Sequence, residues 1–297
     1  MRLLITGGSG LLGSKIASIA SQKGFKVYSG YNKHKSINGI PIKINICNKK
    51  AVLKAFKRIE PMAVIHAAAL TDVDECEKKM DLAKKINIEG TYNIVYSSIN
   101  NNNFFVYIST DYVFSGEEGV YKEEHEPKPI NYYGLTKLEG EKIVFTSDVK
   151  SCIVRPSVIY GSSKSERKLN FALWVINSLK EGKPIKVVID QWGSPTLNTN
   201  LAEMILEIVE RQLKGFYHLA GVDILSRYEF AILIAETFQL DKSLIYPVKS
   251  HDMNWFAKRP RNTSLNVGKA LKILRNKPIN IKDALNKLKE EIGSKKA

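Results

Sequence analysis

Arg2-Leu3-Leu4-Ile5-Thr6-Gly7-Gly8-Ser9-Gly10-Leu11-Leu12-Gly13 opens the chain with a short apolar run and a glycine-rich turn, followed by an apolar-periodic stretch to Ala20. The run reads as a buried parallel strand and the stretch as a helix. Strand, glycine loop and helix together make a dinucleotide-binding turn. Glycines let the backbone approach a pyrophosphate, and the helix N-terminus offers free N–H groups and the positive end of its dipole. The spacing is G-x-x-G-x-x-G at Gly7, Gly10 and Gly13 rather than G-x-G-x-x-G.

Outward from this turn the pattern repeats. Phe25–Ser29 is a second strand, Ile42–Ile46 a third and Lys49–Arg58 a helix. Ala63–Ala69 is a further buried strand entering a small-residue loop, where Ala67, Ala68 and Ala69 leave room for a flat ring or a ribose. A helical pattern covers Asp81 to about Asn100, Phe104–Ile108 is a strand ending in Ser109-Thr110-Asp111, and Cys152–Pro156 is another strand. Strands alternating with helices across short loops predict an α/β fold, a doubly wound parallel sheet. Beyond Tyr160 the pattern changes. Gly161 to Ser165 is a polar loop, Leu169–Leu179 a helix and Ile185–Val188 a run of strand type. Helices over 200–213 and 227–238 flank a strand at Phe216–Leu219, and two more helices precede a polar tail. The expected layout is a Rossmann-like dinucleotide-binding domain over residues 1–157, with 196–220 returning to it. Residues 158–195 and 221–297 then form a smaller C-terminal substrate-binding lobe.

Ligands of open parallel sheets bind beyond the carboxyl ends of the strands. Thr110 stands at such an end, where the glycine and alanine loops converge. In Asn131-Tyr132-Tyr133-Gly134-Leu135-Thr136-Lys137 a helix would set Tyr133 and Lys137 four apart on one face. A phenol with a reference pKa of about 10 trades protons poorly near neutrality, and a neighbouring ammonium would draw it down. Thr110 could complete the site by hydrogen-bonding a substrate oxygen. His66 reads as a packed core residue.

Charge and composition bound the partners. The net charge is +15, and residues 1–59 hold 12 lysines and arginines with no acid before Glu60. Such a field attracts polyanions. No nucleic-acid motif is present, so a phosphate-rich nucleotide is the other candidate, while most of these lysines read as a solvated surface. The second strand is followed by Gly30-Tyr31-Asn32-Lys33-His34-Lys35. No acid waits there for a ribose 2′-hydroxyl, and Lys33, His34 and Lys35 suit a 2′-phosphate. NADPH is therefore expected, with NADH the alternative. No apolar run approaches the ~18 residues of a bilayer span, and the run ending at Gly7 is too short for a signal peptide. Cys47, Cys76 and Cys152 show no C-x-x-C spacing and read as free thiols in a reducing cytoplasm. The five histidines form no metal-ligand pattern.

Taken jointly, Thr6–Gly13, Ala67–Ala69, Asn87-Ile88-Glu89-Gly90-Thr91 and Tyr133 with Lys137 resemble the extended short-chain dehydrogenase/reductase family. Ser109-Thr110-Asp111-Tyr112-Val113-Phe114-Ser115-Gly116, Asp190-Gln191-Trp192-Gly193-Ser194-Pro195-Thr196 and Arg259-Pro260-Arg261-Asn262 narrow it to the dTDP-4-dehydrorhamnose reductase branch. The resemblance covers essentially the whole chain. It implies NADPH-dependent reduction of the 4-keto group of a nucleotide-linked deoxysugar, in a cytoplasmic homodimer without a metal. Tyr133 would donate the proton, Lys137 would hold the nicotinamide ribose and lower the phenol pKa, and Thr110 would bind the reacting oxygen. Asp111 and Tyr112 would position the sugar. Cofactor contacts would come from Gly7, Gly10, Leu11, Leu12 and Gly13, from Asn32 and Lys33, and from Ala67, Ala68 and Ala69. Asn45 and Ile46 would flank the adenine, where the family more often has an acid and an apolar residue. A family Trp near Val158 is absent. Dehydratases of this scaffold place Asp-Glu after the Thr, whereas here Asp111 precedes Tyr112. A nucleotide-sugar epimerase is one alternative. The non-catalytic regulatory β subunit of methionine adenosyltransferase, which resembles the same branch and binds as a partner, is the other.

Overall fold

The computed structural model describes residues 1–162 and 169–293; Ser163–Ser165 of the polar loop and the end of the tail lie outside them. Strands β1 (Arg2–Thr6), β2 (Lys26–Tyr31), β3 (Ile40–Lys43), β4 (Ala63–His66), β5 (Phe104–Ile108) and β6 (Ser151–Arg155) carry the first half. Between them run α1 (Leu11–Gln22), α2 (Lys49–Ile59), α3 (Val73–Lys78), α4 (Met80–Lys84), α5 (Gly90–Asn100) and α6 (Tyr132–Phe145). Next come β7 (Ile159–Tyr160), α7 (Phe171–Lys180), β8 (Ile185–Val188), β9 (Trp192–Gly193), β10 (Thr196–Leu197), α8 (Asn198–Arg211) and β11 (Gly215–His218). The remainder is β12 (Leu225–Ser226), α9 (Arg227–Phe238), β13 (Ile245–Val248), α10 (Gly268–Ile273) and α11 (Ile281–Gly293).

Seven strands pair in parallel in the order β11-β6-β5-β4-β1-β2-β3. This is the doubly wound sheet that the alternation predicts. Period-two alternation sends Leu3 and Ile5 to one face, against Ile16 and Ala17 of α1 and Leu201 and Ile205 of α8. Leu4 goes to the other, with Val52 and Phe56 of α2 and Ile94 of α5. The third strand lies two residues earlier than expected. β2 ends at Tyr31, opposite Lys43; the Ile44 N–H still donates to the Tyr31 carbonyl (2.8 Å), and Ile46 lies beyond the paired strand. Both are buried.

A separate apolar cluster joins Tyr160, Val175 and Ile176 of α7, Ile185, Phe230 and Ile234 of α9, Ile245, and Leu285 and Leu288 of α11. Within it β8 and β13 pair in parallel. No helix among the described residues is long and apolar enough to cross a membrane.

Glu207 of α8 staples the C-terminal segment to the sheet. Its carboxylate accepts the backbone N–H groups of Arg275 (2.8 Å) and Asn276 (2.7 Å), the Asn276 amide and the Arg211 guanidinium. Burial opposes ionisation, but these bonds win and hold its pKa down from 4.5 to about 2. A depressed carboxylate contributes stability that is present above its unfolded pKa and lost as pH falls through the folded value. At ~1.4 kcal/mol per unit, the contribution near neutrality is about 3 kcal/mol. Glu207→Gln should lower the free energy of denaturant unfolding at pH 7 by about 2–3 kcal/mol. The gap to the parent should shrink below pH 4; an equal gap at pH 3 and pH 7 would count against this account.

Candidate active site

The carboxyl ends of β1, β2, β4 and β5 and the N-terminus of α6 open onto one cavity of about 790 Å³. The cofactor, substrate and catalytic residues expected from the sequence line it, from Gly7 to Lys137, with Lys35 the exception. Gly7 leaves β1 with φ +69°, a conformation that costs only glycine nothing. At Gly13 a Cβ would overlap the Gly7 carbonyl, so the loop folds tightly on the start of α1. Gly10 is the N-cap of α1 and supplies no side-chain cap, which leaves the orphan N–H groups of the first turn to an anion. A pyrophosphate therefore fits this turn by geometry and by charge. At the end of β2, Asn32, Lys33 and His34 line the cavity, whereas Lys35 is not among the lining residues. Ile46 and Asn45 line the same end. They are fixed there by Asn93 Nδ2 donating to the Ile46 carbonyl (2.9 Å) and by Cys47 N–H donating to Asn45 Oδ1 (3.1 Å).

At the other end stand Thr110, Tyr133 and Lys137. Asn131 caps α6 by accepting the Gly134 N–H at 2.9 Å, and its amide donates to the Lys258 carbonyl at 3.0 Å. The Thr110 hydroxyl acts on the Tyr133 phenol by favouring its ionised form. It also accepts the Tyr112 N–H (3.2 Å) and donates to Asp111 Oδ1 (3.0 Å). The Lys137 ammonium lies 4.1 Å from the centre of the Tyr107 ring. Tyr112 meets Tyr133 edge-on, with ring centroids 6.0 Å apart.

The titration of the pair differs from the sequence expectation. Burial raises the Tyr133 phenol above its ordinary value, with Asp111, Cys76 and Tyr112 adding to the rise, and the Thr110 hydroxyl only partly offsets it. The lysine is not among these causes. Burial instead lowers Lys137 itself to about 7, against the pull of Glu141 and Cys76. The site is drier than a helix-surface pair, and desolvation outweighs the charge–charge attraction. The phenol thus keeps its proton at neutral pH, the state a proton donor needs.

Asp111 has internal partners as well. It is buried, and its second oxygen accepts Ser157 Oγ (2.8 Å) and Thr263 Oγ1 (2.6 Å) while Thr110 takes the first. Burial raises its pKa and these hydroxyls draw it back. It lines the cavity with its oxygens engaged within the protein, and so anchors Thr110 and the segment after Asn262. His66 is a core residue: its nitrogens meet Thr6 Oγ1 (2.6 Å) and Thr91 Oγ1 (3.1 Å), and burial lowers its pKa to about 3.

Arg227 lines the cavity and was not singled out from the sequence. Its charge favours ionisation of the Tyr112 phenol, and it lies 5.3 Å from the Phe171 ring centre. A signal was present. Ser226 and Glu229 form a capping box, and a cation in the first turn behind it opposes the helix dipole. A residue placed against that preference points to a role outside helix formation.

Comparison with known proteins follows the same lines. The RmlD substrate binding domain family matches residues 1–293. The dTDP-4-dehydrorhamnose reductase of Aggregatibacter actinomycetemcomitans is 31% identical over 280 residues, covering 90% of this chain and 91% of that protein. Methionine adenosyltransferase 2 subunit beta of Bos taurus is 30% identical over 272 residues, 89% of this chain and 80% of that protein. The crystal structure of dTDP-4-dehydrorhamnose reductase from Bacillus anthracis in complex with NADP superposes with a TM-score of 0.89. It is 32% identical and covers 98% of this chain and 99% of its own. With that match from end to end, the chain belongs to the RmlD substrate binding domain family.

Proposed function

We propose that the protein reduces the 4-keto group of dTDP-4-dehydrorhamnose to give dTDP-L-rhamnose, with NADPH as reductant. The observation that carries this reading is the meeting of Tyr133, Thr110 and Lys137 in one cavity with the glycine turn. The similarity to named reductases supports it. Bound NADPH supplies the hydride; the chain supplies geometry, charge and the proton. Tyr133 donates its phenolic proton to the carbonyl oxygen, and Thr110 hydrogen-bonds that oxygen as charge develops on it. Lys137 holds the nicotinamide ribose. Tyr112 faces the sugar, and Asp111 acts on it through Thr110. The glycine turn, with Leu11 and Leu12, takes the pyrophosphate, Asn32 and Lys33 the adenosine ribose, Asn45 and Ile46 the adenine, and Ala67, Ala68 and Ala69 the flat middle of the cofactor.

Residues 1–157 with 196–220 hold the cofactor in this reading, and 158–195 with 221–297 hold the sugar. The pairing of β11 with β6 and the apolar cluster around α7 and α9 support that division. Tyr92, Tyr96 and Ile99 form an exposed apolar row on α5, which favours a homodimer; sedimentation in solution would show it. The free cysteines suit the cytoplasm.

The test is loss of NADPH absorbance in the presence of a dTDP-4-keto-6-deoxy sugar. Turnover supports the reductase. NADPH binding without turnover would favour a regulatory subunit, the reading to which the likeness to methionine adenosyltransferase 2 subunit beta lends weight. The cofactor choice has its own test. Lys33→Ala should raise the KM for NADPH about tenfold and leave that for NADH nearly unchanged, because it removes a cation facing the 2′-phosphate. Equal effects on both cofactors would place Lys33 elsewhere.

A further inference from the structure

Tyr133, Lys137 and Glu141 are spaced four apart on α6, so a phenol, an ammonium and a carboxylate stand in file along one face. Glu141 lies outside the cavity and is 2% exposed. Its oxygens are occupied: Ser109 Oγ donates to Oε1 at 2.5 Å, and Arg155 donates through Nε to Oε1 (2.9 Å) and through Nη2 to Oε2 (2.7 Å). Ser109 is the residue before Thr110. Arg155 is held between the rings of Phe114 and Phe216, 5.0 and 4.8 Å from their centres. An ion pair this deep is weak evidence for stability, because apolar residues of similar volume often serve as well. Its position beneath the reactive pair gives it a different part.

We propose that Glu141 is a positioning residue of the reaction: its buried carboxylate keeps the Lys137 ammonium charged inside the protein and, through Ser109, fixes the strand end that presents Thr110. This rests on the reading of Tyr133 and Lys137 as the reactive pair.

The groups around Lys137 support it. Tyr107 of β5 lies beneath the ammonium, and Tyr107 and His66 of β4 are both neutral at pH 7, the first raised and the second lowered by burial. Cys76 of α3 has its thiol pushed up to about 12. Tyr133 on α6 holds its proton. Asp111, beyond Tyr133, is tied to three hydroxyls, and Arg155 of β6 is engaged with Glu141 itself. Burial works to discharge Lys137, and Glu141 leads the forces that oppose it. A charged lysine offers three N–H donors and a full positive charge to the site; a neutral one loses the charge.

The experiment follows protein labelled with [ε-13C]lysine through a pH titration by NMR, with Lys137→Arg assigning the signal. In Glu141→Gln the Lys137 titration should move about one pH unit lower. The alkaline limb of kcat/KM should follow by the same amount. Glu141→Asp, which keeps the charge, should leave both within a few tenths of a unit. A merely structural role would lower the melting temperature and leave the lysine titration in place, and that result overturns the proposal. If Glu141→Gln does not fold, the double variant Glu141→Gln with Arg155→Met replaces the pair by neutral groups. The lysine should again titrate lower, by a smaller amount because the cation removed offsets part of the carboxylate charge lost, and an unmoved lysine again overturns the proposal. Failure of the reductase reading would show separately, as wild-type protein without turnover whose lysine still titrates.

Discussion

Tyr133→Phe is expected to lower kcat by about 10²–10⁴, the range typical of a lost general acid, while NADPH binds within about twofold of the parent. The substitution removes one oxygen from a buried ring. The ring stays packed beside Cys76 and Ala83. Thr110 keeps its bonds to Asp111 and to the Tyr112 N–H, so the strand end holds its shape. A drop in kcat at constant affinity is the signature of an interaction made only as the reaction proceeds. NADPH fluorescence titration and steady-state rates on the same preparation measure both terms. If kcat is unchanged, the proton comes from elsewhere and Tyr133 leaves the mechanism. If affinity falls as far as kcat, the phenol is a binding group instead.

Gly13→Ala should abolish measurable NADPH binding and lower the melting temperature, whereas Gly10→Ala should be mild. The two glycines lie three residues apart in the same turn, yet their surroundings differ. A Cβ at Gly13 would overlap the Gly7 carbonyl and approach Gly8 Cα to 3.1 Å. At Gly10 the nearest atom is the same carbonyl at 3.3 Å, and the backbone is extended. Gly7 cannot retreat, because its own Cβ position is filled by the backbone of Ala67 and Ala68. Overpacking of this kind costs about 1–3 kcal/mol. Each ~1.4 kcal/mol spent in distorting the anion site is a tenfold loss of affinity. Binding and thermal unfolding of the two variants side by side decide the point. A Gly10→Ala defect as large as that of Gly13→Ala would mean that the turn senses bulk in general rather than this one approach.

The sheet was readable because fully buried parallel strands are unbroken apolar runs, and Leu3–Ile5, Val64–Ile65 and Phe104–Ile108 are runs of that kind. β13 escaped notice. Pro247 sits inside it, and its pairing with β8 depends on a partner some sixty residues away. Site membership was legible for the same reason as the sheet, since loops at the carboxyl ends of parallel strands must converge. Protonation was not legible. Sequence spacing shows that Lys137 is near Tyr133, but not that Cys76, Tyr112 and Asp111 from two other elements close over the phenol and dry it. The hydroxyl partners of Asp111 were hidden for a similar reason: Ser157 and Thr263 are distant in the chain and carry no local signature.

Between α4 and α5 the helix widens into a single π turn, Lys85–Glu89. Asn87 in that turn donates to the Leu70 carbonyl (3.0 Å) and to Thr136 Oγ1 (2.9 Å), and accepts the Leu70 N–H (2.8 Å). A π turn holds one residue more than the regular winding it replaces. Its presence resets the angular phase of everything downstream by about 100°, so that Asn87 can look towards α6 while Ile94 and Val95 still look towards the sheet. Insertions and deletions along this helix are therefore not equivalent. Loss of one residue from the bulge would restore an ordinary spiral and unhook the amide, without altering a single reactive group.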